Sequence, residues 1–192
     1  MAGIFIISSD LQLRKRLKTL LAPNGHTLLG ESGDGMTSLR LLRNLSPELI
    51  LLDADLKGGN SLEIATIIAE DRIAPILLIS SAWSGELVRR AQSTWIFSFA
   101  LKPVSEANLL PAVESAITSF THLSRAEEKV DALEKALKER KVIEQAKGLL
   151  MEKLKISEKE AYGRIRKQSM NKGVSVAEIA RAIILLYQGL DI

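Results

Sequence analysis

Residues 49–55 read Leu-Ile-Leu-Leu-Asp-Ala-Asp: four apolar residues run directly into an acid, and a second acid follows two positions later. So short a run, apolar at every position, suits a strand covered on both faces, which means a parallel sheet with helices on either side. The same unit recurs outward from it. Ile4 to Ile7 leads into Ser8-Ser9-Asp10, Ile76 to Ile79 leads into Ser80-Ser81, and weaker runs stand at Thr27 to Leu29 and at Ile96 to Leu101, the last followed by Lys102-Pro103. Between them, Leu13, Leu17, Leu20 and Leu21 fit one helical face, as do Leu39, Leu42 and Leu45, and then Leu62, Ile64, Ala65 and Ile68. Residues 1–120 therefore predict an α/β domain built on a five-stranded, doubly wound parallel sheet.

Such a sheet opens its crevice at the carboxyl ends of the strands. The topology directs Asp10, Asp53, Asp55, Ser80 and Lys102 toward that edge: acids, a hydroxyl and an amine. Strand ends are often polar only because they meet loops, which accounts for any one of these residues. Jointly they mark a site.

After Ser105, a predicted helix N-cap, no helix stop occurs until about Lys155; Pro111 falls early enough to bend the helix without ending it. Within this long helix Leu123, Ala126, Val130, Leu133 and Leu137 advance by alternating steps of three and four, flanked by charged residues such as Glu127, Lys129, Glu134 and Lys138. That is a heptad seam, and residues 121–139 predict a coiled coil that pairs two copies; a single amphipathic helix packed on its own domain is the rival reading. Residues 140–192 predict an all-α unit of three helices: the end of the long helix, about 158–172, and about 176–189. Ser157 to Glu160 and Ser175 to Glu178 match the capping box, and Gly173 closes the intervening helix. Val142, Ile143, Ala146, Leu149 and Leu150, then Ala161, Ile165 and Met170, then Val176, Ile179, Ala180, Ile183 and Ile184 are the expected core.

Composition narrows the function. There is no Cys, and His26 and His122 stand far apart, so neither thiol chemistry nor a histidine metal cluster is expected. No span of about 18 or more uncharged apolar residues occurs and the start MAGIFIISSD lacks a signal-peptide pattern, which together predict a cytoplasmic protein without a membrane helix. Net charge is +3, unevenly spread: residues 1–123 hold 11 Lys/Arg against 12 Asp/Glu, whereas residues 124–192 hold 15 against 11. The basic C-terminal third points weakly to a polyanion.

The joint placement of Asp53, Ser80, Phe99 and Lys102-Pro103 resembles a two-component response-regulator receiver domain, of flavodoxin-like fold, over about residues 2–120. The resemblance implies that Asp53 accepts a phosphoryl group, that Ser80 and Lys102 contact it, and that Phe99 is the aromatic that changes rotamer. It implies signalling from a sensor histidine kinase or another regulatory protein. The chain departs from the family where β-strand one ends, since Ser8 and Ser9 occupy the positions of a carboxylate pair that holds Mg²⁺. Asp10, Asp53 and Asp55 are thus expected to form a weak or absent metal site. Trp95, ahead of the last strand, is a second departure.

Ile143 to Met151, Ser157 to Tyr162, Ile165-Arg166, Ser169-Met170 and Val176 to Ala180 resemble the ANTAR family, the output domain of transcription antitermination regulators. That resemblance implies a dimer bound to nascent leader RNA carrying paired hairpins. By position and chemistry the expected RNA-binding residues are Lys147, Arg166 and Lys172, then Arg140, Lys141, Arg164 and Lys167, with Tyr162 stacking on a base or buried as a core aromatic. Two other readings stand beside it. A DNA-binding response regulator also carries a small basic helical unit, although here the basic residues precede Gly173 and the last helix is almost uncharged. A protein-interaction regulator independent of phosphate is favoured by Ser8-Ser9. An enzyme is not expected: no triad, Gly-rich phosphate loop or metal-ligand cluster is present in the sequence.

Overall fold

The computed structural model describes residues 1–58, 61–83, 85, 89 and 94–188. Two compact units divide the chain, Met1–Ser124 and Arg125–Ile192.

The first unit is an all-parallel sheet of β1 (Gly3–Ile7), β2 (Thr27–Ser32), β3 (Leu49–Asp53), β4 (Ile76–Ser80) and β5 (Ile96–Leu101), in the order β2-β1-β3-β4-β5. Around it lie α1 (Leu11–Leu21), α2 (Gly35–Leu45), α3 (Ser61–Glu70) and the start of the long helix α4 (Glu106–Leu154). Side chains alternate across a strand, so each apolar run feeds two cores. Ile4, Ile6, Leu49, Leu51, Leu77 and Ile79 meet α1 and α4 on one face, where Leu17, Leu109 and Val113 are buried. Phe5, Ile7, Ile50, Leu52, Ile76 and Leu78 meet α2 and α3 on the other, where Leu42, Ile64 and Ile68 are buried. Trp95 packs on Phe120 of α4, ring centroids 5.3 Å apart, and Phe97 reaches the same ring at 5.5 Å.

In strand order β2-β1-β3 the chain reverses its winding between β1 and β3, where a ligand crevice is expected. Registers Asp53↔Ile79 and Ser80↔Leu101 bring the ends of β3, β4 and β5 level, and the Lys102 N–H donates to the Ser80 carbonyl at 2.9 Å.

Beyond Ser124, α4 continues to Leu154 and is followed by α5 (Glu158–Lys172) and α6 (Val176–Gln188). Both capping boxes form: Ser157 Oγ accepts from the Glu160 N–H while Glu160 accepts from the Ser157 N–H, and Ser175 and Glu178 do the same. Gly173 ends α5 at φ 65°, a left-handed conformation that favours glycine. Ala146, Leu150, Ala161, Ile165, Ile179 and Ala180 close the core of this unit. Met170 is a correction to the expected core, being 75% exposed. It lies five residues after Ile165, about 140° round the helix at 3.6 residues per turn, and so off the buried face. Residue 189, the expected end of the last helix, lies outside the described residues.

Candidate functional site

Asp53 ends β3 with its carboxylate 2% exposed, and each of its oxygens has a partner. The Ser8 hydroxyl donates to Oδ2 at 2.6 Å, and Lys102 Nζ donates to Oδ1 at 2.6 Å. The Asp55 N–H adds a bond to Oδ1 at 3.0 Å. Lys102 also reaches Asp55 Oδ2 at 2.9 Å, and the Ser81 hydroxyl donates to that same oxygen. A buried carboxylate is tolerated only when paired and hydrogen-bonded, and these contacts supply both. The Ser81 hydroxyl and Lys102 hold Asp55 below the ordinary carboxylate range against a smaller opposing effect of burial. Burial works to lower the Lys102 pKa, but its bonds to Asp53 and Asp55 together raise it above the ordinary value.

Ser8 therefore enters the site as a donor to Asp53. Its backbone is fixed from behind by Arg14, whose guanidinium donates to the Ser8 carbonyl at 2.8 Å. The Asp10 carboxylate caps α1, accepting from the Gln12 and Leu13 N–H groups at 2.7 and 3.2 Å. Ser9 Oγ accepts from the Lys57 N–H at 3.2 Å. These donors do not suit Mg²⁺, which wants several anionic oxygens in octahedral array. Ser8 presents a proton to Asp53, Asp10 serves the helix, and Lys102 already occupies one oxygen each of Asp53 and Asp55. Among the described residues no cluster of three or more His, Cys, Asp or Glu could hold a metal ion.

Ser80 is buried at the end of β4, where its hydroxyl donates to the Ala82 carbonyl at 2.8 Å and accepts from the Ala82 N–H at 3.3 Å. Phe99 of β5 is partly buried and meets Trp83 edge-on, centroids 5.4 Å apart. Asp53, Asp55 and Lys102 are thus drawn into one network, while Ser80 is turned into its own loop. Trp83 was not among the expected site residues; an aromatic three residues after a strand end was its one signal.

In the second unit, Arg140, Lys141, Arg164, Arg166, Lys167 and Lys172 are all exposed. Arg140 and Tyr162 line a cleft between α4 and α5, while Arg164 and Lys172 flank an apolar groove containing Leu150, Ile179 and Ile183. Tyr162 is 44% exposed, so it is not a core aromatic. Lys147 differs from the other cations in being buried, donating to both oxygens of Glu144 at 2.9 and 2.8 Å and to Glu158 Oε1 at 2.6 Å. Charge counting could not foresee this, because Glu158 comes from the next helix.

On α4 itself, Val130, Leu133 and Leu137 are 54%, 70% and 55% exposed, and Leu123 and Ala126 are also exposed. Arg140 and Glu144 continue the three-and-four advance, so the apolar stripe ends at Leu137. No helix among the described residues is long and apolar enough to cross a membrane.

The family model described as response regulator receiver domain matches residues 4–114, and that described as ANTAR domain matches residues 131–184. The chain is similar along most of its length to the transcriptional regulatory protein PdtaR of Mycobacterium tuberculosis strain H37Rv, 29% identical over 181 residues that cover 94% of this chain and 88% of that one. The chain is also similar to the nitrate/nitrite response regulator protein NarL of Escherichia coli K12, 30% identical over 128 residues, or 65% of this chain and 59% of NarL. The receiver domain of a modulated diguanylate cyclase from Desulfovibrio desulfuricans G20 has the same fold, with TM-score 0.57 and 28% identity over 62% of this chain and 95% of that one. A LuxR-family two-component response regulator from Aurantimonas superposes with TM-score 0.58 at 22% identity, covering 68% and 99% of the two chains. With the receiver match spanning more than half of its residues, the chain belongs to the response-regulator receiver family and carries an ANTAR domain in its C-terminal part.

Proposed function

We propose that this response regulator is a signal-responsive transcription antiterminator that binds nascent leader RNA through residues 140–192, as a homodimer paired along residues 121–139, under the control of residues 1–120. The observation that carries this reading is the ANTAR match at 131–184, lying on a compact basic helical unit. Exposed Arg140, Lys141, Arg164, Arg166, Lys167 and Lys172 are assigned to the RNA, chiefly to its phosphates. Lys147 is given to Glu144 and Glu158, which leaves it no net charge for phosphate; we assign it to holding α4 against α5. The exposed stripe Leu123, Ala126, Val130, Leu133 and Leu137 is assigned to pairing of two copies. A transcription assay across a leader terminator tests the function: added protein should raise read-through, and unchanged termination contradicts it.

For the receiver domain, family membership supports Asp53 as phosphoacceptor, with Ser80, Phe99 and Lys102 as its switch residues and a sensor kinase as its source. The Ser8 hydroxyl on Asp53 favours a second mode, control by a docking protein without phosphate, because both carboxylate oxygens are engaged by fixed side chains. A phosphoryl donor, or beryllofluoride with Mg²⁺, separates the two. A change in oligomeric state or RNA affinity that Asp53→Ala abolishes supports phosphorylation; no change in either leaves docking. The DNA-binding response regulator MtrA of Mycobacterium leprae matches over 114 residues, or 59% of this chain, too short a stretch to cover both units.

A further inference from the structure

The last helix carries more apolar surface than its own unit covers. Ile183, Ile184, Leu185, Leu186 and Tyr187 are consecutive, and at about 100° per residue they point to every side of α6. A helical stretch that is apolar all round is normally buried. Leu185 and Leu186 are instead more than half exposed.

Leu186 lines a groove of about 440 Å³ between α5 and α6. Arg164, Gln168 and Lys172 recur every four residues along one wall, a row about 12 Å long at about 1.5 Å per residue. Ile179, Ile183 and Leu186 advance by four and then three along the other wall, and Leu150 of α4 also lines the groove. Two helical rows of this kind receive a third helix, whose own apolar residues recur at the same spacing. Among the described residues that line the groove two are cations and none is a carboxylate. It is therefore apolar along one side and positive along the other.

RNA suits the cations but leaves the apolar wall uncovered, since its phosphates stay in water. A second copy seated groove to groove is also a poor occupant, because a two-fold contact sets the same patch against itself, cation against cation. A helix with an apolar face and acids along one flank satisfies both walls at once.

We propose that the groove between α5 and α6 docks an acidic amphipathic helix of a partner protein, with its apolar face on Ile183 and Leu186 and its acids against Arg164 and Lys172. A filled groove takes those two cations from the RNA, whereas Arg140, Lys141, Arg166 and Lys167 do not line it. The proposal stands on the groove alone and does not depend on the RNA-binding reading.

A displayed library of helical peptides, with leucines fixed along one stripe and the flanking positions randomised, tests it by panning against the full-length protein. Retained peptides should carry acids about eight residues apart on one flank, the spacing of Arg164 and Lys172. Leu186→Ser, a change at an exposed position, should weaken such a peptide about tenfold or more while leaving affinity for a two-hairpin leader RNA within about twofold. Arg164→Glu/Lys172→Glu should weaken it similarly, and a peptide with lysines in place of its acids should bind that variant more tightly than it binds the natural chain. No retained peptide, flanks without acids, or a lysine peptide that gains nothing from the charge reversal overturns the proposal. An RNA affinity that falls with Leu186→Ser as far as the peptide affinity does would give the groove to RNA instead. A sedimentation mass that falls with the same substitution would give it to a second copy.

Discussion

At the scale of residues, the receiver site turns on what Ser8 does. A carboxylate in the place of Ser8 would stand beside the buried Asp53 and demand a cation; a hydroxyl instead supplies a proton, and Lys102 balances the charge. Lys102→Ala should destabilise the chain by about 3–5 kcal/mol, because it strands a buried charge. Ser8→Ala should cost only about 1–3 kcal/mol, since it removes one donor of several. Urea unfolding checks this order, and equal losses would mean that Lys102 is not the principal partner. Conversely, Ser8→Asp/Ser9→Asp should acquire a thermal midpoint that rises with millimolar Mg²⁺, whereas the midpoint of the natural chain should stay flat. A rise in the natural chain would show that Asp53 and Asp55 suffice as ligands. Asp53, Asp55 and Lys102 were legible because each stands at or within a few residues of the end of an apolar strand. The Ser8–Asp53 bond was not, since it joins residues 45 positions apart and depends on the pairing of β1 with β3. The Lys147–Glu158 ion pair was hidden for a similar reason, since it depends on the next helix bringing Glu158 to Lys147.

At the scale of elements, the seam of α4 and the caps of α5 and α6 carry separate expectations. Val130 and Leu133 are more than half exposed on a helix, beside charged residues such as Lys129, Asp131 and Glu134, a cost in apolar exposure that pairing would remove. Val130→Glu/Leu133→Glu should convert a dimer to a monomer in sedimentation equilibrium; an unchanged mass would place the interface elsewhere. The capping boxes set a pH dependence. Hydrogen bonds from the Ser157 side chain and backbone hold Glu160 below its ordinary pKa of 4.5, and those from the Ser175 backbone and side chain do so for Glu178. Carboxylates with lowered folded-state pKa values contribute their full stability above the unfolded value, and that contribution is lost as pH falls through the folded one. Thermal unfolding of the helical unit should therefore weaken below about pH 4.5. Ser157→Ala should lower stability by about 1 kcal/mol at neutral pH and flatten that acid loss; an undiminished acid loss would assign it to other groups. These ends were legible in sequence because caps are local, within three residues. Met170 was misplaced because a helical face is a matter of angle, and five residues overshoot it.

At the scale of the whole molecule, the parallel sheet was readable from apolar runs that feed two cores each, and the helical unit from punctuation by Ser157, Gly173 and Ser175. What sequence could not give was the sorting of the C-terminal cations. Their number suggested one basic face, but the fold sends Arg140 to one cleft, Arg164 and Lys172 to a groove, and Lys147 inward. Recognition of RNA by such a surface should combine a few phosphate contacts with base readout, and so depend moderately on salt. The most direct measurement is the affinity of the full-length protein for a two-hairpin leader RNA and for duplex DNA, each at about 50 and 200 mM salt. Binding that prefers the RNA at both concentrations, and that Arg166→Ala weakens with a shallower salt slope, is the expected result. Equal or tighter binding to the duplex would contradict the assignment of this regulator to leader RNA.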